Sequence, residues 1–211
     1  MLTEQFKSHA TSSPQLANTS DQELELYETH FRLLRNWNER MALVSKKSID
    51  KSFATHYVDS IMISDFGEKH RSGRLVYDLG TGAGFPGIVY AIRYPQAQVS
   101  IFERSLKKQT FLSAVLATLN LPNLKLGGEL PNQKMTGLFL ARAVLPPIEL
   151  FKFMSKRMSS GSTLIVNVGG KSEDINNPPE FLSKNSETYE LPMDSGSRRV
   201  ESFDFVPRGT I

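Results

Sequence analysis

The sequence has no cysteine among its 211 residues, so it can form neither a disulfide nor a cysteine-ligated metal site. Histidine is scarce too. His9, His30, His56 and His70 lie far apart in the chain and lack the close spacing of metal ligands. We therefore expect no metal centre.

Long apolar runs are also missing. The first 20 residues are polar and lack the apolar centre of a secretory signal peptide. No stretch approaches the roughly 20 apolar residues that a membrane-spanning helix needs. These absences predict a cytoplasmic protein without membrane contact. The length allows one main core with an extension.

The most informative segment is a glycine-rich turn. Residues 76–87 read Val-Tyr-Asp-Leu-Gly-Thr-Gly-Ala-Gly-Phe-Pro-Gly, and residues 88–92 are apolar enough for a buried helix. Glycines let the backbone approach a ligand closely. The N–H groups at a helix start can then face that ligand. The segment predicts a strand, a turn and a helix that together hold a nucleotide-sized ligand.

Asp78, two residues before Gly80, points to the kind of ligand. A carboxylate at a strand end suits a cationic or hydroxyl-bearing ligand and would repel a pyrophosphate. The D-x-G-x-G-x-G pattern resembles the first motif of S-adenosylmethionine (SAM) methyltransferases. Residues 82–87 also satisfy the G-x-G-x-x-G pattern of dinucleotide-binding proteins, which is weak evidence alone. A plain strand-to-helix turn is a third interpretation.

Glu103 supports a nucleoside ligand. It follows the alternating run at residues 99–102 and lies 19 residues after Gly84. In doubly wound folds an acidic residue at about this distance holds a ribose diol. SAM and dinucleotides both carry a ribose, so Glu103 does not separate them. A solvated carboxylate at the strand end is the alternative.

Charge is concentrated in the middle of the chain. The whole sequence has net charge +3, whereas residues 73–171 hold 12 basic and only four acidic residues. Three of those four, Asp78, Glu103 and Glu129, stand where loops should follow strands. This distribution suggests an anionic substrate beside the cofactor, with nucleic acid the obvious candidate, although a modest basic bias is common in soluble proteins.

The pattern of elements predicts an α/β fold with a mostly parallel, Rossmann-like sheet flanked by helices. Residues 1–19 read as a flexible polar tail and 20–72 as an N-terminal helical extension, with a capping box at Ser20 and a second helix at about 51–66. The aromatic stripe of the first helix suits packing better than base stacking. Strands are expected at 74–79, 98–103, 124–127, 137–142 and 162–168, helices at 86–93, 106–120 and 147–158, and a closing antiparallel pair at 189–191 and 200–206.

Five motifs together resemble the bacterial 16S ribosomal RNA (guanine-N7)-methyltransferase family, also called glucose-inhibited division protein B. The resemblance covers about residues 24–206. The motifs are the pair Trp37-Asn38, the H-x-x-D-S-I segment at 56–61, the D-x-G-T-G-x-G-x-P-G turn at 78–87, Glu103 with the basic helix start Lys107-Lys108, and Arg142-Ala143.

The chain departs from the family pattern at several points. Ala42-Leu43-Val44 replaces the usual Asn-Leu-Thr, and Gly137 replaces an acidic residue before the fourth strand. Gly169-Gly170 stands where the family usually has a lysine followed by a glycine. The segment at residues 127–136 is shorter than the family pattern leads us to expect. These departures concern the RNA contacts more than the cofactor turn.

The resemblance implies that residues 73–211 form a SAM-dependent methyltransferase domain that modifies N7 of a guanine in 16S rRNA. Naked RNA and the assembled 30S ribosomal subunit are both open as substrate, and a monomer is expected. The cofactor-binding residues that it implies are Asp78, Gly80, Thr81, Gly82, Gly84, Phe85, Pro86, Glu103, Arg104, Glu129, Leu130 and Arg142.

Methylation of N7 asks little of the protein, because N7 carries an in-plane lone pair and loses no proton. Positioning should dominate catalysis. Arg142 is the candidate catalytic residue, holding O6 or a phosphate; alternatively it is structural and pairs with Glu129 or a backbone carbonyl. The expected substrate-binding residues are Asn38, His56, Asp59, Ser60, Lys107, Lys108, Arg198 and Arg199.

Each of these substrate roles has a structural alternative. His56 and Asp59 fit a core polar pair equally well, and the lysines and arginines fit a solvated surface. Two other functions also stay open: a SAM enzyme acting on a small molecule or protein, and a nucleotide-binding paralogue without catalysis.

Overall fold

A seven-stranded sheet with strand order β3-β2-β1-β4-β5-β7-β6 forms the centre of the computed structural model, which describes residues 14–16, 18–45, 49, 53–169, 175–192 and 196–207. The first five strands are parallel, and β7 runs antiparallel between β5 and β6. The predicted mostly parallel α/β fold is confirmed. The strands are β1 Leu75–Leu79, β2 Gln98–Phe102, β3 Leu124–Gly127, β4 Leu138–Arg142, β5 Ser162–Gly169, β6 Phe181–Glu190 and β7 Ser197–Phe205.

Helices flank the sheet and contribute to its hydrophobic core. A π-helical segment, Phe53–Val58, leads directly into the second α-helix. None of the helices in the described part of the chain is long and apolar enough to cross a bilayer. The α-helices are α1 Asp21–Met41, α2 Asp59–Lys69, α3 Gly87–Arg93, α4 Leu106–Leu119 and α5 Pro147–Met154.

Helix α1 begins where the sequence predicts. The Ser20 hydroxyl accepts the Glu23 N–H, and the Glu23 carboxylate accepts the Ser20 N–H at 2.9 Å, which completes the capping box. The aromatic stripe of α1 packs inward, since the ring of Trp37 lies 5.9 Å from that of Phe111 on α4. The helical extension therefore contributes its apolar face to the core of the sheet domain.

Four predicted boundaries are wrong. Strand β7 begins at Ser197 instead of residue 200. Helix α2 ends at Lys69 instead of residue 66. Gly67 does not end the helix; it packs against β4, where a Cβ would be 3.2 Å from Leu138. Helix α5 ends at Met154, four residues before the predicted end. Strand β6 spans ten residues instead of three, since its polar residues pair with β7 at the sheet edge. The predicted start of the second helix, at 51–52, lies outside the described residues.

Several predicted functional residues lie at the edge of the sheet where the parallel strands have their carboxyl ends. Strands β1, β2, β4 and β5 all end there. Antiparallel β7 begins there, because Arg198 pairs with Gly169 at the end of β5. Glu103, Arg142 and Arg198 therefore share one edge, which is where ligands bind in open α/β sheets.

Candidate functional site

A cavity of about 340 Å³ opens at the carboxyl ends of β1 and β2, beside the β4–α5 connection. Its volume is within the range of small-molecule sites. Apolar side chains form most of its wall, with two carboxylates among them. Its lining residues are Leu79, Gly80, Phe102, Glu103, Arg104, Lys108, Gly128, Glu129, Leu130, Val144, Leu145 and Phe153.

The glycine turn forms one side of this cavity. Gly80 has φ +62° and Gly82 has φ +61°, both in the left-handed region that favours glycine. A Cβ on Gly80 would lie 3.1 Å from a methyl group of Val144. The turn is braced by the Thr81 N–H, which donates to the Phe102 carbonyl at 3.0 Å, and by the Phe85 N–H, which donates to the Thr81 carbonyl. The backbone can thus approach a ligand closely on a rigid support.

Asp78 is fully buried beneath this turn, where its Oδ2 accepts the Gly87 N–H at 2.8 Å. Burial raises the pKa of the Asp78 carboxyl to about 7, although the hydrogen bond from Gly87 opposes the shift. A Cβ on Gly87 would lie 2.7 Å from the same oxygen, so this contact requires glycine. The sequence interpretation placed the carboxylate against the ligand. In the structure it braces the start of α3, and direct ligand contact stays a prediction.

Glu103 joins the turn to the start of α4. Its Oε2 accepts the Gly82 N–H at 3.1 Å, and its Oε1 accepts the Ser105 N–H at 2.8 Å. Lys108 lies 3.9 Å from Oε2 and lines the cavity. Its predicted RNA contact stays a prediction, since the side chain is also 39% exposed. Arg104, Glu129 and Leu130, predicted for the cofactor, line the cavity too.

His30 supports the glycine turn from helix α1, a role that the sequence did not predict. Its Nε2 lies 3.0 Å from the Ala83 carbonyl, and its Nδ1 lies 2.9 Å from the Tyr57 hydroxyl. Burial lowers the pKa of His30 to about 4, so the ring is neutral. Since a carbonyl only accepts, Nε2 donates and Nδ1 accepts. The available signal was a polar residue on the apolar face of α1, in phase with Tyr27 and Leu34.

Arg142, the last residue of β4, is held by the segment that contains the H-x-x-D-S motif. Its Nε donates to Asp59 Oδ2 at 2.8 Å, and its Nη2 donates to His56 Nδ1 at 3.0 Å. Ser60 Oγ lies 3.5 Å from Nη1. The structure therefore brings four predicted residues together. The alternative of pairing with Glu129 is wrong, because the guanidinium pairs with Asp59.

Phe85 connects this cluster with the glycine turn. Its ring stacks on His56 with centroids 5.1 Å apart and planes at 24°. The Arg142 guanidinium carbon lies 5.9 Å from the centre of the same ring. The cluster and the turn are therefore neighbours, so a ligand held at the turn would have a fixed cation and an imidazole beside it.

Two further polar residues, the buried Tyr189 and the half-buried Asn167, extend the cluster and had no signal in the sequence. The Tyr189 hydroxyl donates to Asp59 Oδ1 at 2.7 Å, and the Asn167 amide donates to the Tyr189 oxygen at 2.8 Å. These residues lie on β6 and β5, more than 100 positions beyond Asp59 in the sequence. Only the folded sheet brings them there.

The remaining predicted substrate residues do not join the cluster through any contact described here. Asn38 Oδ1 accepts the Val44 N–H at 2.8 Å and so caps the end of α1. Lys107 is exposed on α4. Arg198 donates to the Ser197 carbonyl, and Arg199 Nε lies 2.7 Å from Glu201 Oε1. Their RNA contacts stay predictions. In the residues that the structure covers, no three His, Asp or Glu side chains are grouped as a metal site.

The chain is similar in sequence to known proteins. The family described as rRNA small subunit methyltransferase G (GidB) matches residues 22–194. Ribosomal RNA small subunit methyltransferase G of Staphylococcus haemolyticus is 28% identical over 199 residues, which cover 88% of this chain and 82% of that protein. The protein of the same name from Erythrobacter litoralis is 35% identical over 152 residues, covering 71% and 72%.

Solved structures are similar in fold. Precorrin-6y C5,15-methyltransferase from Geobacter metallireducens has a TM-score of 0.50 at 11% identity, covering 78% of this chain and 91% of that one. A variant of MtNAS in complex with S-adenosylmethionine has a TM-score of 0.59 at 12% identity, covering 95% and 88%. At such low identity the similarity concerns the fold alone.

Proposed function

Because this chain belongs to the rRNA small subunit methyltransferase G family, we propose that it methylates N7 of a guanine in 16S rRNA with SAM as methyl donor. The observation that carries this proposal is the position of Arg142, which three residues of the H-x-x-D-S segment hold beside the glycine turn. The glycine turn would bind the methyl donor SAM, and Arg142 would hold the electron-rich guanine base that accepts the methyl group.

The cavity residues fit SAM. Phe102, Leu130 and Phe153 offer apolar surface for an adenine ring, and Glu103 stands where a ribose diol would be held. Glu103 and Glu129 also place negative charge near a cationic ligand. The tight backbone at Gly80 leaves no space for a side chain between the turn and Val144. When bound, SAM supplies a methyl group activated by its sulfonium.

The acceptor side requires orientation instead of a catalytic base. Guanine N7 has a lone pair in the plane of the ring and is the neighbour of O6 on the base edge. Methylation there places positive charge on the base without removal of a proton. Arg142 would donate to O6 or to a phosphate and so fix the approach of N7. His56, which is half-buried and stacked on Phe85, would present a flat surface against which a base can lie.

RNA of the small ribosomal subunit is the partner that the family implies, and we propose a monomeric, cytoplasmic enzyme that acts on naked 16S RNA or on the assembled 30S particle. The basic middle segment, with 12 basic and four acidic residues at 73–171, would attract the phosphate backbone. The target guanine must be unstacked or lie in a loop to enter the site. RNA affinity should therefore fall as salt rises.

Mapping of 7-methylguanosine in 16S RNA from cells with and without this protein tests the proposal. Purified protein should also transfer labelled methyl from SAM to 30S particles or to naked 16S RNA, and the comparison identifies the substrate. Label in protein or small molecules, but not RNA, would support the other SAM-enzyme interpretation. SAM binding without any transfer would support a non-catalytic paralogue.

A further inference from the structure

A chain of hydrogen bonds crosses the carboxyl edge of the sheet and ends at Arg142. We propose that Tyr189, on the C-terminal hairpin, is a positioning residue for methyl transfer, because its hydroxyl orients Asp59 and Asp59 orients Arg142. The catalytic readout of this inference rests on the proposed function. Its structural readout does not.

The geometry gives each oxygen of Asp59 one donor. Tyr189 donates to Oδ1 at 2.7 Å, and Arg142 Nε donates to Oδ2 at 2.8 Å. Asp59 is 1% exposed, so water cannot replace either donor readily. The plane of the carboxylate, and with it the plane of the guanidinium, is therefore set from two sides.

Tyr189 is itself held in the donor role. Asn167 donates to the phenol oxygen at 2.8 Å, which leaves the hydroxyl hydrogen for Asp59. Burial, together with the neighbouring Asp59 carboxylate, raises the pKa of Tyr189 well above its usual value, so the phenol keeps its proton. Along this chain Asn167 donates to Tyr189, and Tyr189 in turn donates to Asp59.

Loss of the Tyr189 hydroxyl should change the position of the Arg142 side chain and leave the fold largely intact. Tyr189→Phe would preserve the buried aromatic ring at this position and its packing. It would leave Oδ1 of Asp59 without its donor, so the carboxylate could rotate about its χ2 torsion. Arg142 would then sample several orientations near Phe85. A displacement of about 1 Å in a catalytic group can cost on the order of a hundredfold in rate.

The protein contains a matched control at the opposite edge of the sheet. Tyr94 donates to Asp65 Oδ1 at 2.7 Å, and Asp65 pairs with Arg93 at the end of α3. The chemistry is again tyrosine, aspartate and arginine, but helix α3 starts at the glycine turn and ends far from it. Tyr94→Phe therefore removes the same kind of bond away from the proposed site.

The structural arm of the test uses NMR of arginine Nε–H groups in the full-length protein. In wild type, Arg142 and Arg93 should both show slowly exchanging Nε–H signals. Tyr189→Phe should increase hydrogen exchange at Arg142 by about tenfold or more and leave Arg93 unchanged. Tyr94→Phe should leave Arg142 unchanged and should alter exchange at Arg93 less, because Asp65 is 31% exposed and Arg93 also pairs with Glu23. Unchanged exchange at Arg142 in Tyr189→Phe would overturn the inference, whatever the activity.

The kinetic arm uses methyl transfer to 30S particles. Tyr189→Phe should lower kcat about tenfold, with SAM affinity within about twofold of wild type, and Tyr94→Phe should keep kcat even if its Tm falls more. A wild-type protein without activity would overturn the proposed function but leave the NMR result decisive for Tyr189. An unchanged kcat in an active Tyr189→Phe protein would overturn the catalytic role.

A double-mutant cycle with Asp59→Asn tests whether Tyr189 acts through Asp59. If it does, Tyr189→Phe should lower kcat little further in the Asp59→Asn background. Independent, multiplying losses would contradict the chain of orientation. Should Tyr189→Phe fail to fold, Asn167→Ala removes the bond that orients the phenol and should give a smaller loss in the same direction. Full activity in that variant would count against the inference.

Discussion

Arg142 and Asp59 form an ion pair of 2.8 Å between the end of β4 and the first turn of α2. The aspartate is buried, and the arginine side chain is only 17% exposed. The guanidinium is thus fixed by the protein before any substrate binds. A pair of this kind serves orientation, because burial of both charges costs much of what their attraction contributes.

The first prediction concerns Arg142→Lys. The ammonium keeps the charge beside Asp59 but cannot reproduce the planar fork that also reaches His56. We expect kcat for 30S methylation to fall about tenfold, while SAM affinity by calorimetry stays within about threefold. Arg142→Ala should in addition lower the free energy of unfolding by about 3 kcal/mol, since it leaves a buried carboxylate unpaired. Normal methylation by Arg142→Lys would refute the proposed orienting role.

The second prediction concerns Glu103, whose carboxylate accepts the N–H groups of Gly82 and Ser105. Glu103→Ala should weaken SAM binding by about 1–3 kcal/mol, through loss of a charged acceptor and of support for the turn. Glu103→Gln keeps one acceptor and should lose less. Calorimetry with SAM, with its demethylated product and with NAD measures the effect, and wild type should not bind NAD. An unchanged SAM affinity in Glu103→Ala would mean that the ribose is held elsewhere.

The third prediction separates two neighbouring lysines. Lys107 is exposed, whereas Lys108 is 3.9 Å from Glu103 and lines the cavity. Lys107→Glu should weaken RNA binding and flatten its salt dependence with SAM affinity unchanged. Lys108→Glu should also weaken SAM binding, because repulsion from the new carboxylate would displace Glu103 from the Gly82 N–H. Lys125→Glu on β3 is the matched surface control. If Lys107→Glu binds RNA like the control, Arg198 and Arg199 become the next residues to test.

The sequence predicts the parts of the site that depend on neighbours in the chain. The turn from Asp78 to Gly87, the acidic residue after β2 and the capping box of α1 are all local patterns, and the mostly parallel sheet follows from the alternation of β and α units. The resemblance also placed His56, Asp59 and Arg142 near one site. Their mutual contacts were not predictable, because 83 positions separate Asp59 from Arg142.

The missed residues share one physical cause. His30 and Tyr189 are polar groups on surfaces that pack against other elements, and their partners are set by tertiary contacts. Strand β6 was underestimated for a related reason. Residues 182–187 are mainly polar and exposed, and it is pairing with β7 that makes them a strand. The periodicity of the sequence does not predict such pairings.

The fourth prediction is a pH dependence with two opposing slopes. His30 has a pKa lowered to about 4, so its contribution to stability is lost as pH falls from about 6.5 towards 4. Asp78 has a pKa raised to about 7, so its contribution is lost as pH rises from about 4 towards 7. The two effects should partly cancel in wild type.

Single variants should expose each slope. Asp78→Asn leaves the His30 effect, so stability should rise with pH between about 4 and 6.5 more steeply than in wild type. His30→Gln leaves the Asp78 effect and should tilt the profile the other way. Urea unfolding from about pH 4.5 to about pH 7.5 measures both profiles. Parallel curves for the three proteins would contradict the assigned protonation states of these buried groups.

The last prediction concerns Ala42, which replaces the asparagine usual in the family. Ala42 ends α1 in the left-handed conformation, with φ +44°, whereas Asn120 ends α4 at φ +48°. A residue with a Cβ other than Asn pays roughly 1 kcal/mol there. Ala42→Asn or Ala42→Gly should therefore raise the free energy of unfolding by about 0.5–1 kcal/mol. Asn120→Ala is the reciprocal control and should lower it by a similar amount. Methylation of 30S particles by Ala42→Asn should equal wild type if the position serves only the helix end, whereas a gain in RNA affinity would assign the asparagine of the family a contact with RNA that this chain has lost.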